Sequence, residues 1–419
     1  MTTPLCAIMS DAGSDKGPRT RGTFWHNYTE VYDCLFKDMV DHELNVFELG
    51  LGTTNPNIPS NMGSNGVPGA SIRGWKNYFT QSRIFGADID RDILFDDDRI
   101  HTVYCDQMNP DVIRDMWSRL PDMDIIIEDG LHTFVANVTF FESSIHKLKE
   151  GGFFIVEDIS NNDIVRFNEK IQQWRNTYPA LHFQLRILPH PTNIYDNNLL
   201  VVQRQRTKMT LANWQTHYKD PKTLIVQASH PSGDDSWQSF PIGMHYQYPS
   251  QVWKGRSIQF GGHDSLVLCA MNPDTDQTRR PHGKNRRSIL TTLSSNGIHN
   301  ERIPLTGFYD RLPQYKFIIS PEGNGIDCHR HYEAILAGCI PIIERNPLIE
   351  EKYAGCPILY TDDYSEITPD YLIKTYEAMR ESVYDFSSLF LSKYDEQMRA
   401  RIKEYGNHWM RQHTKTNWY

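Results

Sequence analysis

The sequence predicts an α/β protein of two domains, residues 1–205 and 206–419, each built on a largely parallel sheet. Three observations lead there. Short β-rich apolar runs alternate with stretches of helical periodicity. The runs are apolar throughout, as strands covered on both faces must be. The alternation also stops near residue 205 and begins again near 223.

Strands are expected at 45–50 (NVFELG), 83–89 (RIFGADI), 100–105 (IHTVYC), 124–129 (DIIIED) and 153–158 (FFIVED). Helical patterns lie between them at 71–79 and 137–150. In the second of these, Phe140, Phe141, Ile145 and Leu148 share one face. Two further strands, 182–188 and 198–205, have no room for a long helix between them and should pair antiparallel. The second half is read as strands at 223–229, 265–271, 316–323, 339–345 and 356–362. Its helices at 286–297 and 328–338 are each stopped by a glycine. Residues around 204–222 form the junction. The stretch 230–264 is rich in Gly, Pro, Ser and aromatics without a clear period.

Bulk composition narrows the function. The 419 residues are 39% hydrophobic and 23% charged, with a net charge of −9. That balance argues against a nucleic-acid partner, which needs clustered Lys and Arg. No run approaches the roughly 18–20 apolar residues of a membrane helix, and the N-terminus lacks the pattern of a signal peptide. Seven scattered cysteines fit a reducing, cytoplasmic setting better than a disulfide framework or a zinc site.

Chemistry gathers at the strand ends. FELGLGT (47–53) puts Glu48, Gly50 and Gly52 where a cofactor can approach the backbone. The second strand ends at Asp88, an acid able to accept both hydroxyls of a ribose. The third ends at Asp106 and Gln107, beside an adenine site. An acid after each of three successive strands, with an antiparallel closing pair, resembles the Rossmann-like class I S-adenosyl-L-methionine-dependent methyltransferases. The turn-rich stretch 53–70 leaves directly from the glycine turn and is expected to act as a lid or substrate loop.

The fourth and fifth strands end alike, in Glu128–Asp129 followed by His132, and in Glu157–Asp158. Converging carboxylates repel unless a cation joins them, and oxygen ligands suit Mg²⁺. His132 is then placed as a base. Glu128 has no evident role, because its side chain alternates away from Asp129. Both acids of the second pair can turn inward only if the strand has ended by Asp158.

These motifs, together with SDKG and FWHNYTEVYDCLF near the N-terminus, resemble the metal-dependent sugar O-methyltransferases of macrolide biosynthesis, the mycinamicin and macrocin type, over about residues 10–205. The resemblance implies Mg²⁺ on Asp129, Glu157 and Asp158, and His132 as catalytic base. It implies S-adenosyl-L-methionine held by Glu48, Gly50, Gly52, Ser71, Asp88, Asp106, Gln107 and Asp129. The acceptor would be a glycan or glycoside.

In the second half, residues 315–344 run strand, Gly/Asn loop, helix, strand. Anions favour helix N-termini, and the basic run 279–288 precedes another helix. The block resembles the Rossmann-like nucleotide-sugar half of GT-B-type glycosyltransferases, closest to the exostosin and fucosyltransferase-like families. The implied donor contacts are Arg286, Asn324, Arg330 and Glu333. Three readings stay open: a bifunctional enzyme, a methyltransferase with a glycan-binding module, and a glycosyltransferase on an inert scaffold. A homo-oligomer is compatible with all three.

Overall fold

The structure, a computed structural model, describes residues 3–17, 26–217, 219–234, 236–252 and 263–419. The N-terminal segment 14–36 therefore lies outside the described residues at 18–25. The irregular stretch 230–264 does so at 235 and 253–262. The chain divides into two compact units, Met1–Arg206 and Thr207–Tyr419.

The first unit is a three-layer sandwich. Its strands are β1 (Asn45–Leu49), β2 (Arg83–Asp88), β3 (Ile100–Tyr104), β4 (Met123–Glu128), β5 (Leu148–Val156), β6 (Leu181–Ile187) and β7 (Asn198–Arg204). Their order is β3-β2-β1-β4-β5-β7-β6, with a two-residue strand, Asp96–Asp97, added antiparallel outside β3. Pairs among the first five strands are parallel; β5–β7 and β7–β6 are antiparallel. This is the strand order of the class I methyltransferase fold.

Both faces of the sheet are covered, which is why the strands read as apolar throughout. Val46, Ile125, Ile127 and Ile155 pack against α1 (Pro4–Ala12), α2 (Tyr28–Phe36) and α3 (Ala70–Tyr78). Phe47, Leu49, Ile126 and Phe154 pack against α4 (Pro110–Arg119), α5 (Phe134–Ser144) and α6 (Ile164–Thr177).

One element departs from expectation. The helix expected over 137–150 ends at Ser144, and β5 begins at Leu148. The backbone at Leu148 pairs beside Met123, and the ladder then shifts register. Gly151, at φ 82°, takes up the irregularity. Leu148 is buried in either conformation, so apolar spacing alone could not separate them.

The second unit holds a parallel four-stranded sheet in sequential order: β8 (Ser265–Leu268), β9 (Tyr315–Ile319), β10 (Ile340–Glu344) and β11 (Leu359–Thr361). Its longer helices are α7 (Arg286–Ser295), α8 (His329–Leu336), α9 (Pro369–Met379) and α10 (Glu396–Thr414). A two-stranded ribbon pairs Lys208–Thr210 with Val383–Asp385. The strand expected at 223–229 does not form. Leu224, Ile225 and Val226 are fully buried but make only isolated bridges, to Phe390 and Met244. The amides of Ile225 and Val226 donate to the hydroxyls of Tyr332 (2.8 Å) and Tyr419 (3.0 Å), which satisfy them without a ladder. No helix among the described residues is long and apolar enough to cross a membrane.

Candidate active site

The carboxyl ends of β1 to β5 surround a cavity of ≈360 Å³ in the first unit. Gly50 and Gly52, at φ 90° and 77°, form its floor where β1 ends. At Gly50 the backbone leaves no room for a side chain, because a Cβ there would lie 1.8 Å from the carbonyl oxygen of Asp129. Gly50→Ala is therefore expected to cost about 1–3 kcal/mol from the backbone region alone. It should also displace the Asp129 peptide. A thermal melt matching that of the native protein would refute this.

Asp88 is buried in the cavity wall. Its carboxylate accepts the amides of Leu51 (2.6 Å) and Asp90 (2.8 Å), which ties the end of β2 to the glycine turn. Asp106 and Gln107 line the same cavity. Gln107 donates to Glu128 Oε1 (2.6 Å) and accepts from the Leu131 amide (2.8 Å), clamping the end of β3 to the end of β4. Glu128, the acid without an evident role, is half of that clamp, and burial pushes its pKa up to about 7. The loop after Gly52 also reaches the cavity. Asn57 to Ser60 and Met62 line it, and Ser60 Oγ donates to the Leu131 carbonyl (3.1 Å).

Glu48 and Ser71, expected to touch the cofactor, do not line the cavity. Glu48 shares the face of Val46, which looks toward α3, since side chains alternate along a strand. Its oxygens accept from Ser71 Oγ (2.7 Å) and Trp75 Nε1 (2.6 Å).

The expected acids meet at the β4–β5 edge. β5 ends at Val156 and Asp158 stands at φ 52°, so the condition for both acids to turn inward is met. Asp129 Oδ1 lies 3.1 Å from His132 Nε2, and Asp158 Oδ2 lies 3.5 Å from His132 Nδ1. Asp129, His132 and Asp158 each offer a ligand atom within 4.8 Å of the others. Burial opposes a charged imidazole, but Asp158 and Asp129 outweigh it and raise His132 to about 10. His132 is itself at φ 58°, a conformation that non-glycine residues keep chiefly where the surroundings impose it.

Glu157 faces a different partner from the one expected. Lys16, only 2% exposed, donates to Asp129 Oδ2 (2.6 Å) and Glu157 Oε2 (2.6 Å) and lies 3.2 Å from Glu48 Oε1. Burial opposes its charge. Asp129, Glu157 and Glu48 together nevertheless hold the ammonium well above its ordinary range. Tyr32 donates to Glu157, and Tyr28 donates to Asp158 Oδ1 (2.7 Å). Lys16, Tyr28 and Tyr32 went unassigned in the sequence. Their only signal was membership of the SDKG and HNYTEVYDCLF segments. Glu157 is thus placed beside the Asp129–His132–Asp158 group, with both its oxygens already hydrogen-bonded and its pKa raised well above the usual carboxylate range by burial.

In the second unit, Arg286, Asn324, Arg330 and Glu333 all line one cavity of ≈1150 Å³. Arg286 donates to the carbonyls of Glu322 (2.8 Å), Pro321 (3.1 Å) and Asn272 (3.3 Å), so much of its guanidinium holds the loop after β9. Arg330, on the first turn of α8, keeps a buried Nε with no hydrogen-bond partner. Glu333 accepts the His245 amide (2.9 Å) and the Tyr309 hydroxyl (3.4 Å), and burial pushes it up to about 7.

No protein-family model matches the chain. A tetracenomycin-C rhamnosyl 2'-O-methyltransferase of Streptomyces olivaceus is 32% identical over 160 residues, 38% of each chain. The demethylmacrocin O-methyltransferase of Streptomyces fradiae is 31% identical over 135 residues, 32% of each chain. The mycinamicin VI 2''-O-methyltransferase of Micromonospora griseorubida is 30% identical over 137 residues, 32% of each. The chain thus spans about a third of the length of these curated relatives. Among solved structures, the MycE methyltransferase of mycinamycin biosynthesis, in complex with Mg and SAH, is similar at 22% identity and a TM-score of 0.39. The match covers 49% of this chain and 56% of that one.

Proposed function

We propose that the first unit, about residues 1–205, moves a methyl group from S-adenosyl-L-methionine to a sugar hydroxyl of a glycan or glycoside, with Mg²⁺ bound. The observation that carries this reading is a single cavity holding two kinds of group. One wall has the glycine turn, Asp88, Asp106 and Gln107; the other has Asp129, His132 and Asp158. The 30–32% identical relatives named as O-methyltransferases, one of them of a rhamnosyl compound, support it.

The donor set fits a hard divalent cation, with carboxylate oxygens of Asp129 and Asp158 converging and Glu157 beside them. A bound cation would supply positive charge beside these carboxylates and would lower the pKa of a hydroxyl bound to it. The chain's own contributions follow from geometry. Asp88 fixes the glycine turn against which the methyl donor lies. Asp129 and Asp158 orient the His132 ring between them, and His132 removes the hydroxyl proton. Lys16 and Tyr32 hold Glu157, and Tyr28 holds Asp158. Much of the rate enhancement then comes from alignment of the hydroxyl with the methyl carbon. Treatment with EDTA is expected to abolish transfer, and added MgCl₂ to restore it. Full turnover in excess chelator would rule out the cation.

For the second unit, about residues 206–419, we propose binding of a nucleotide-sugar donor. The gathering of Arg286, Asn324, Arg330 and Glu333 in one large cavity supports it. The N-terminal turn of α8 and the unpaired Arg330 Nε offer charge for a diphosphate. Calorimetric titration with UDP-, GDP- and dTDP-sugars tests this, and heat from none of them would leave the second unit as a glycan-binding module.

A further inference from the structure

The cavity of the second unit is large. Pockets that enclose a drug-sized ligand span about 300–1,000 Å³, and this one reaches ≈1150 Å³. Part of its lining lies outside every donor residue considered so far. Residues 229–242 contribute Trp237 together with Ser229, Asp234, Ser236 and Gln238.

Trp237 has the character of a platform. It lines the cavity, yet it is 39% exposed. The Lys352 ammonium sits 3.8 Å from its ring centroid. That ammonium is immobile, since it donates to Asp327 Oδ2 (2.9 Å) and its side chain is only 4% exposed. Asp327 in turn accepts the Tyr353 hydroxyl (2.9 Å) and the Ile242 amide (2.9 Å). The indole is therefore held in place through one face and keeps open surface. Asp234 accepts the Ser236 amide (2.8 Å).

We propose that Trp237 is the stacking surface of a carbohydrate subsite, separate from the arginines of the donor site. A pyranose presents a face of C–H groups that an aromatic ring covers, and its hydroxyls need polar partners, which Asp234 and Gln238 supply to the lining of the same cavity. Asp234 would repel a phosphate placed beside it, whereas Arg286 and Arg330 come from the starts of α7 and α8. With this subsite, the second unit supplies an acceptor wall from its own residues. The assignment shares a cavity with the proposed donor site but does not depend on a donor binding there.

Saturation-transfer NMR on the full chain tests it, using methyl glycosides of glucose, galactose, mannose, fucose and rhamnose, with UDP, GDP and dTDP as separate probes. At least one glycoside should bind the native protein through its C–H protons. Trp237→Ala should weaken that binding about tenfold or more, and Trp237→Phe, which keeps a ring over Lys352, by about threefold or less. Any nucleotide that binds should do so equally well in Trp237→Ala. Sugars held by the first unit would not respond to either change. Three results would overturn the subsite: no glycoside bound by the native protein, equal glycoside binding by Trp237→Ala, or loss in that variant of nucleotide base contacts alone. If no nucleotide binds either protein while the glycoside result stands, only the donor reading falls.

Discussion

Replacing His132 with alanine is expected to lower the rate of methyl transfer by about 10²–10⁴-fold, the range of a lost general base. Binding of S-adenosyl-L-methionine should be retained. The two effects separate because His132 stands between Asp129 and Asp158, whereas the glycine turn and Asp88 belong to β1 and β2. Removing the imidazole takes away no contact made by Asp88 or by the Gln107–Glu128 clamp. Calorimetry for the methyl donor, paired with single-turnover transfer to a glycoside, measures both. Normal turnover in this variant would remove His132 from the chemistry and, with it, the central assignment of the site.

The second large effect concerns stability. Lys16→Met should destabilise the first unit by about 3–5 kcal/mol, the cost of stripping one partner from a buried charge cluster. For a unit of this size that is roughly a 6–20 °C fall in Tm. Three carboxylates, Glu48, Asp129 and Glu157, lose their common donor at once. Lys16→Arg keeps the charge and should lose less, with strain from the larger group setting the remainder. A pH scan near neutrality cannot substitute for the mutation. The folded pKa of Lys16 lies well above its ordinary 10.5, so its contribution is complete below that value. It is lost only as pH climbs through the folded value. An unchanged Tm in Lys16→Met would mean that the cluster carries less negative charge than its carboxylates suggest.

Local information made much of this legible. The strands of the first unit could be read because a sheet buried on both faces writes continuous apolar runs, and each run that matters ends in an acid. The meeting of Asp129, His132 and Asp158 followed from two adjacent strand ends. Four things were not legible. Glu48 looked like a cofactor ligand because it ends a strand, but its face is fixed by alternation with Val46, which points it at Trp75. Residues 148–150 satisfy a helical spacing as well as a strand, and only a ladder partner at Met123 decides. Lys16 sits 113 residues from Asp129 and 141 from Glu157, so no local pattern announces the contact. In the second unit, tyrosine hydroxyls replace a ladder at 225–226, which apolar composition could not reveal.

The long reach of Lys16 also orders events during synthesis. Ribosomes add about 5–20 residues per second, so Lys16 leaves the peptidyl-transferase centre roughly 7–30 s before Glu157 is joined to the chain. Until Asp129 is made the ammonium has only Glu48 as an acid partner, and until Glu157 is made Tyr32 lacks the carboxylate it meets. The N-terminal helices can coil early, but they cannot seat their polar groups until the fifth strand is made. The carboxyl edge of the first unit thus joins residues made far apart in time.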